Sequence, residues 1–201
     1  MKRFAMYPLA GIAILILGGF AGIAGSRAQT ASDEPQFTNG NRLVRPANYR
    51  DWIYLSSGLG MTYSKQAGVP ELFTNVFVAP AAFRAFQATG KWPDKTIFVL
   101  EERAAQSRGS IVQGGHFQGE LAGLAASVKD VKRFEEKWAY FSFSAGDSSA
   151  APNPRARCWQ CHNDRGAVEN TFVQFYPTLK DIAQKLGTYN QEKAANESGP
   201  K

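Results

Sequence analysis

Side chains able to hold a metal or form a bridge are scarce in this chain of 201 residues: two cysteines, two histidines and three methionines. Both cysteines fall within one five-residue stretch, so a scaffold stapled by long-range disulfides is excluded. A closed zinc site wants about four nitrogen or sulfur ligands. The chain offers only Cys158, Cys161, His116 and His162, and His162 abuts Cys161, which is poor geometry for chelating one ion. Internal repeats are absent. Strong charge is absent too, as the count below shows.

What the chain does have is Cys158-Trp159-Gln160-Cys161-His162. C-x-x-C-H is the attachment signature of c-type haem. Its thiols can add across the two haem vinyl groups, and the adjacent histidine is placed to ligate the iron from one side. The group on the other side then decides between gas binding, redox chemistry and electron transfer. A C-x-x-C pair also serves as a redox disulfide in thioredoxin-like proteins, where a helix starts on the first cysteine. Here residues 148–157 read as a loop rich in Pro, Ala and Arg.

Residues 1–28 read as a secretory signal. Lys2 and Arg3 form the basic start, no charge follows until Arg27, and Ser26-Arg27-Ala28 puts small residues at the two positions signal peptidase reads. An uncleaved anchor is the other reading, since the uncharged run approaches the ~20 residues a spanning helix needs. Its glycines and the cleavage site favour removal. No cysteine lies near the site, so a lipoprotein anchor is excluded. Export to the periplasm suits the haem motif, because haem is attached to such motifs outside the bacterial cytoplasm. Cleavage removes three of the 23 basic residues and no acid, leaving 20 against 17, about +3. So mild a balance predicts no nucleic-acid partner. The remaining length of roughly 170 residues suits one domain with a full core.

Residues 29–45 are expected to be a flexible lead-in, 46–188 the haem domain, and 189–201 a polar tail without fixed structure. A short helix is predicted over 46–52, and strand or loop over 53–63. Residues 72–78 read as a strand with Phe73, Asn75 and Phe77 on one face. Pro80 opens a helix that Gly90 stops. Residues 96–103 form a strand with Phe98 and Leu100 on one face. Another strand runs over 116–128, bent by Gly119 and Gly123. Asp130 caps a short helix, 138–144 is a strand, and a helical stretch begins at Asn170 or Thr171 and is interrupted near Pro177. The class is α+β: a mainly antiparallel sheet, a few helices and a haem motif near the C-terminus. Small all-helical cytochromes c differ, with the motif near the N-terminus and a methionine ligand after it. Here no methionine follows Met61.

FTNVFVAPAAFRAFQATGKWPDKTIFVLE, GELAGLAASVKDVKRF, WAYFSF, and CWQCH followed by NTFVQFYPTL occur in that order. Together they resemble the cytochrome P-460 family, which includes the cytochromes c′-beta. The resemblance covers about 48–179. It implies an antiparallel sheet carrying one covalent haem c, commonly in a homodimer, with Cys158 and Cys161 as thioether positions and His162 as the proximal iron ligand.

Members that oxidise hydroxylamine carry a lysine cross-linked to the haem and a distal carboxylate. Reading this chain onto the family's motifs puts Leu100 at the lysine position and Ala125 at the carboxylate position. Lys95 and Glu101 are near in sequence, but Lys95 lies in a turn and Glu101 points away from the Leu100 face. Without a general base, a bound N–H or O–H substrate has nothing to take its protons. An apolar distal wall instead admits small neutral diatomics such as NO, as in the c′-beta branch with its five-coordinate haem and aromatic cap. Phe98 is the expected cap, with Phe73 or Phe77 as a second aromatic; ordinary core is the alternative for all three. Two further readings stay open. A cytochrome P-460-type oxidoreductase would draw its lysine and carboxylate from elsewhere in the chain. An electron carrier would use Met61 or His116 as a sixth ligand. Arg155, Arg157 and Arg165 flank the motif, either pairing with haem propionates or as solvated charges. A redox partner is expected without being identified.

Overall fold

A computed structural model describes residues 33–61, 70–109, 111 and 113–196. Residues 1–28, expected as a signal or anchor, lie outside the described residues. Five strands form one antiparallel sheet in sequence order: β3 (Ile53–Leu59), β4 (Leu72–Val78), β5 (Ile97–Gln106), β6 (Phe117–Lys129) and β7 (Trp138–Phe143). A smaller sheet orders β1 (Phe37–Thr38), β2 (Arg42–Val44) and β8 (Ser149–Ala150). Four helices complete the fold: α1 (Pro80–Thr89), α2 (Arg155–Arg165), α3 (Pro177–Lys185) and α4 (Gln191–Ala194). The architecture is α+β, as the sequence predicts. Among the described residues no helix is long and apolar enough to cross a membrane.

Helix α1 joins the neighbouring strands β4 and β5. Pro80 sits in its first turn, where a missing N–H costs nothing, and Gly90 ends it at φ 69°. A Cβ on Gly90 would come within 2.7 Å of Thr188 Oγ1, so that corner needs glycine twice over. Phe86 and Trp92 stack with centroids 4.1 Å apart, both fully buried. The Trp92 indole N–H donates to Thr171 Oγ1 at 2.9 Å, tying the α1 corner to the segment after the haem motif. Burying each such aromatic contributes about 2–3 kcal/mol.

Several local expectations change. Residues 46–52 hold only a single 3-10 turn, Tyr49–Asp51. Asp130 closes a turn and not a helix: its carboxylate accepts from the backbone N–H groups of Lys132 and Arg133. The stretch from Asn170 begins with a tight turn. Thr171 N–H donates to Val168 O, with Glu169 and Asn170 both at positive φ, and a 3-10 turn (Val173–Phe175) follows before α3. The polar tail is ordered at its start. Asn190 caps α4 through Lys193 N–H, and Lys193 Nζ donates to Asn163 O on α2 at 2.6 Å.

Successive side chains of β5 leave opposite faces of the sheet. Glu101 is buried on one face, bound by Tyr49, Arg50 and Arg103. Phe98, Leu100 and Glu102 line a cavity on the other.

Candidate functional site

Helix α2 begins three residues before Cys158. On a helix, positions i, i+3 and i+4 share a face, so Cys158, Cys161 and His162 project together. All three open into one cavity of about 390 Å³ between α2, the residue 172–176 segment and the large sheet. Both cysteines are free thiols. Asn153 Nδ2 lies 3.6 Å from Cys158 Sγ, and Arg165 Nη1 lies 3.3 Å from Cys161 Sγ. Burial pushes the Cys158 thiol up, with Asn153 opposing. Thioredoxin-type chemistry needs the reverse, a depressed thiol at a helix N-terminus.

His162 is packed between the rings of Tyr140 and Phe172, with centroids 4.3 and 4.4 Å away. Burial pushes its pKa down to about 4, with the hydrogen bond to Asn170 acting the other way. The ring is therefore neutral at ordinary pH. Its Nδ1 sits 2.9 Å from the Asn170 carbonyl oxygen, which can only accept, so Nδ1 carries the proton. The Nε2 lone pair is left free. Histidines that bind metals are oriented by such a hydrogen bond at the other nitrogen.

The sheet wall follows the register. Ser56, Val76, Leu100, Ala125 and Ser142 are successive cross-strand partners from β3 to β7, and all five line the cavity. Leu100 and Ala125 are thus direct neighbours across β5 and β6. The next row places Phe98, Ser127 and Tyr140 on the cavity. Phe98 is also core, with Trp92, Trp138 and Tyr176 as ring neighbours. Phe73 and Phe77 do not line the cavity. They leave β4 on the face opposite Thr74 and Val76, where Phe77 packs on Tyr49 and Tyr54.

Met61 lines the cavity with its side chain over Gly58. His116 does not line it and stands 3.7 Å from Glu71. Lys95 pairs with Asp130, away from the cavity. Of the three arginines, Arg165 lines the cavity, Arg155 pairs with Glu136 and stacks on Trp159, and Arg157 is exposed.

A planar, largely apolar prosthetic group fits this site. The volume lies within the ~300–1,000 Å³ of ligand pockets. Two thiols and a free imidazole nitrogen converge on it from one helix. Tyr140 Oη is buried there without a hydrogen bond of ordinary geometry, the Asn170 side chain being the polar group beside it, so a bound group can still satisfy it. A family model described as Cytochrome P460 matches residues 46–173, well over half the chain. The chain belongs to the cytochrome P460 family. No curated protein matches it significantly. Membership implies a haem cofactor and suggests a c-type haem protein. Within the P460 match lie every sheet strand of the wall, α2, and the turn that holds His162.

The cavity holds more than the sequence reading assigned to it. Tyr140, Phe172, Phe175 and Tyr176 were not singled out, and only packing brings them beside the motif. Glu102 had a signal: it follows Leu100 by two on a strand, so it shares that face.

Proposed function

We propose that this is an exported protein with one haem c, attached through Cys158 and Cys161, with His162 as axial ligand. On this reading it would take up NO or a similar small neutral diatomic in the cavity lined by the sheet, as in the cytochromes c′-beta. The observation that carries the reading is the sheet side of the cavity His162 opens into, where Val76, Leu100 and Ala125 stand side by side. Bound haem supplies an iron centre with one position open to a ligand. The chain holds the imidazole neutral and oriented, supplies two thiols on the same helix face, and lines the sheet side with apolar and small neutral residues apart from Glu102. A redox partner, and pairing of two copies, belong to the same proposal.

Oxidation of hydroxylamine is less well supported. Both positions the resemblance marks for it are apolar, and although Glu102 brings a carboxylate to the cavity, no lysine lines it among the described residues. Met61 favours a second reading. Its thioether reaches the cavity, and as a sixth ligand it would make an electron carrier.

The test is the absorption spectrum of purified holoprotein, ferric and then ferrous, with and without NO and CO. A five-coordinate, high-spin ferrous form that binds both gases is expected, without the far-red bands of a cross-linked haem. A low-spin, six-coordinate form that Met61→Ala converts to high-spin would overturn the gas-binding reading and favour electron transfer.

A further inference from the structure

One carboxylate opens into the cavity that gas binding does not use. Glu102 leaves the sheet on the Leu100 face, about 7 Å further along β5. Its cross-strand partners are Thr74 on β4 and Gly123 on β6. A Cβ on Gly123 would lie 2.3 Å from Glu102 Oε2, so the carboxylate occupies the space left by the missing side chain. Glu102 has no hydrogen bond and no ion pair among the described residues.

The nearest cations in the strand are turned away. Arg103 leaves the opposite face, and with Arg50 it is bound to Glu101. Arg165 reaches the cavity from α2, the element that carries His162, beside Cys161 Sγ. The two charges thus reach the cavity from different elements, the positive one from α2 and the negative one from the sheet. The rest of the sheet wall, Thr74, Val76, Leu100 and Ala125 among it, is uncharged.

Resting on the haem-pocket reading, we infer that Glu102 is a specificity residue that screens ligands by charge. Neutral diatomics approach the sheet side without penalty. Small anions such as azide or fluoride meet a fixed negative charge on the wall they must approach. In a partly open site, whose effective dielectric lies between that of a protein surface and water, one like charge lining the cavity weakens anion binding by about tenfold. Because the cavity opens to solvent, salt must weaken the effect.

The experiment uses holoprotein at one neutral pH. Ferric wild type, E102Q and E102D are titrated optically with sodium azide and sodium fluoride at low and high ionic strength, and the ferrous forms with CO. E102Q is expected to bind both anions about tenfold more tightly than wild type at low salt. CO affinity should stay within about twofold, and the anion difference should shrink at high salt. E102D keeps the charge and should keep weak anion binding, which guards against a general effect of altering the position. Equal anion affinity in wild type and E102Q would overturn the inference while leaving the pocket reading intact. So would a parallel rise for CO, which would mean a steric effect. Wild-type protein that loads haem but binds neither CO nor azide would overturn the pocket reading, and this inference with it.

Discussion

The Asn170 carbonyl decides which nitrogen of His162 faces the cavity, and its position depends on a backbone conformation. Glu169 and Asn170 have φ of 44° and 65°, the central pair of a tight turn closed by Thr171 N–H to Val168 O. Asparagine tolerates this left-handed region, and a β-branched residue does not. Asn170→Val should therefore cost about 1–2 kcal/mol and loosen the imidazole. Asn170→Gly should cost little. Thermal unfolding reads the first effect, and the iron–histidine stretching band of the ferrous protein reads the second. The residue sequence in this turn was read as a helix start, because Asn and Thr are common caps; the two positive φ values left no local trace that separates the two. The motif residues were legible as a signature of spacing, but the helix that carries them was not: it starts at Arg155, inside the stretch expected to be loop. Phe98 falls between these cases. Its face was legible from alternation, but whether it packs in the core or lines the cavity depended on partners far away in sequence, and it does both.

Strand β5 shows what alternation carries and what it hides. Leu100 and Ala125 were expected at the same wall, and the register makes them direct partners. The opposite face bears the buried Glu101 cluster. Burial opposes ionisation of Glu101, but hydrogen bonds from Arg103, Tyr49 and Arg50 outweigh it and hold the carboxyl at about 2. A carboxyl depressed in the folded state contributes stability above its unfolded value, near 4.5, and that contribution is lost as pH falls toward 2. Acid unfolding followed by circular dichroism should show this loss between about pH 4.5 and 2. Glu101→Gln should flatten the dependence and lower stability at neutral pH by about 2 kcal/mol, at the modest end because Arg50 is half exposed. Asn75 joins the cluster from β4, and its place beside Glu101 was not readable without the register.

For the whole molecule, the class and the β-rich runs of the large sheet were legible because each ends at a Gly, Pro or Asp signal, whereas residues 29–45, expected as a flexible lead-in, supply β1 and β2 of the small sheet with Leu43 fully buried. The cavity's aromatic side was not, since Tyr140 on β7 and Phe172 after α2 meet His162 only through packing of distant elements. The proposed export has its own check. Protein recovered from a periplasmic fraction should begin at Gln29 and keep its haem mass under denaturing conditions, as thioether bonds require; an intact N-terminus in the membrane fraction would favour the anchor. The two-sided character of β5 also bears on how this chain can change over time. Deleting Val99 would turn Glu101 and Arg103 toward the cavity and move Leu100 to the face of the ionic cluster. Drift within this strand is thus confined to point replacement, while gain or loss of length must accumulate in the connections that join β3 to β4 and β5 to β6.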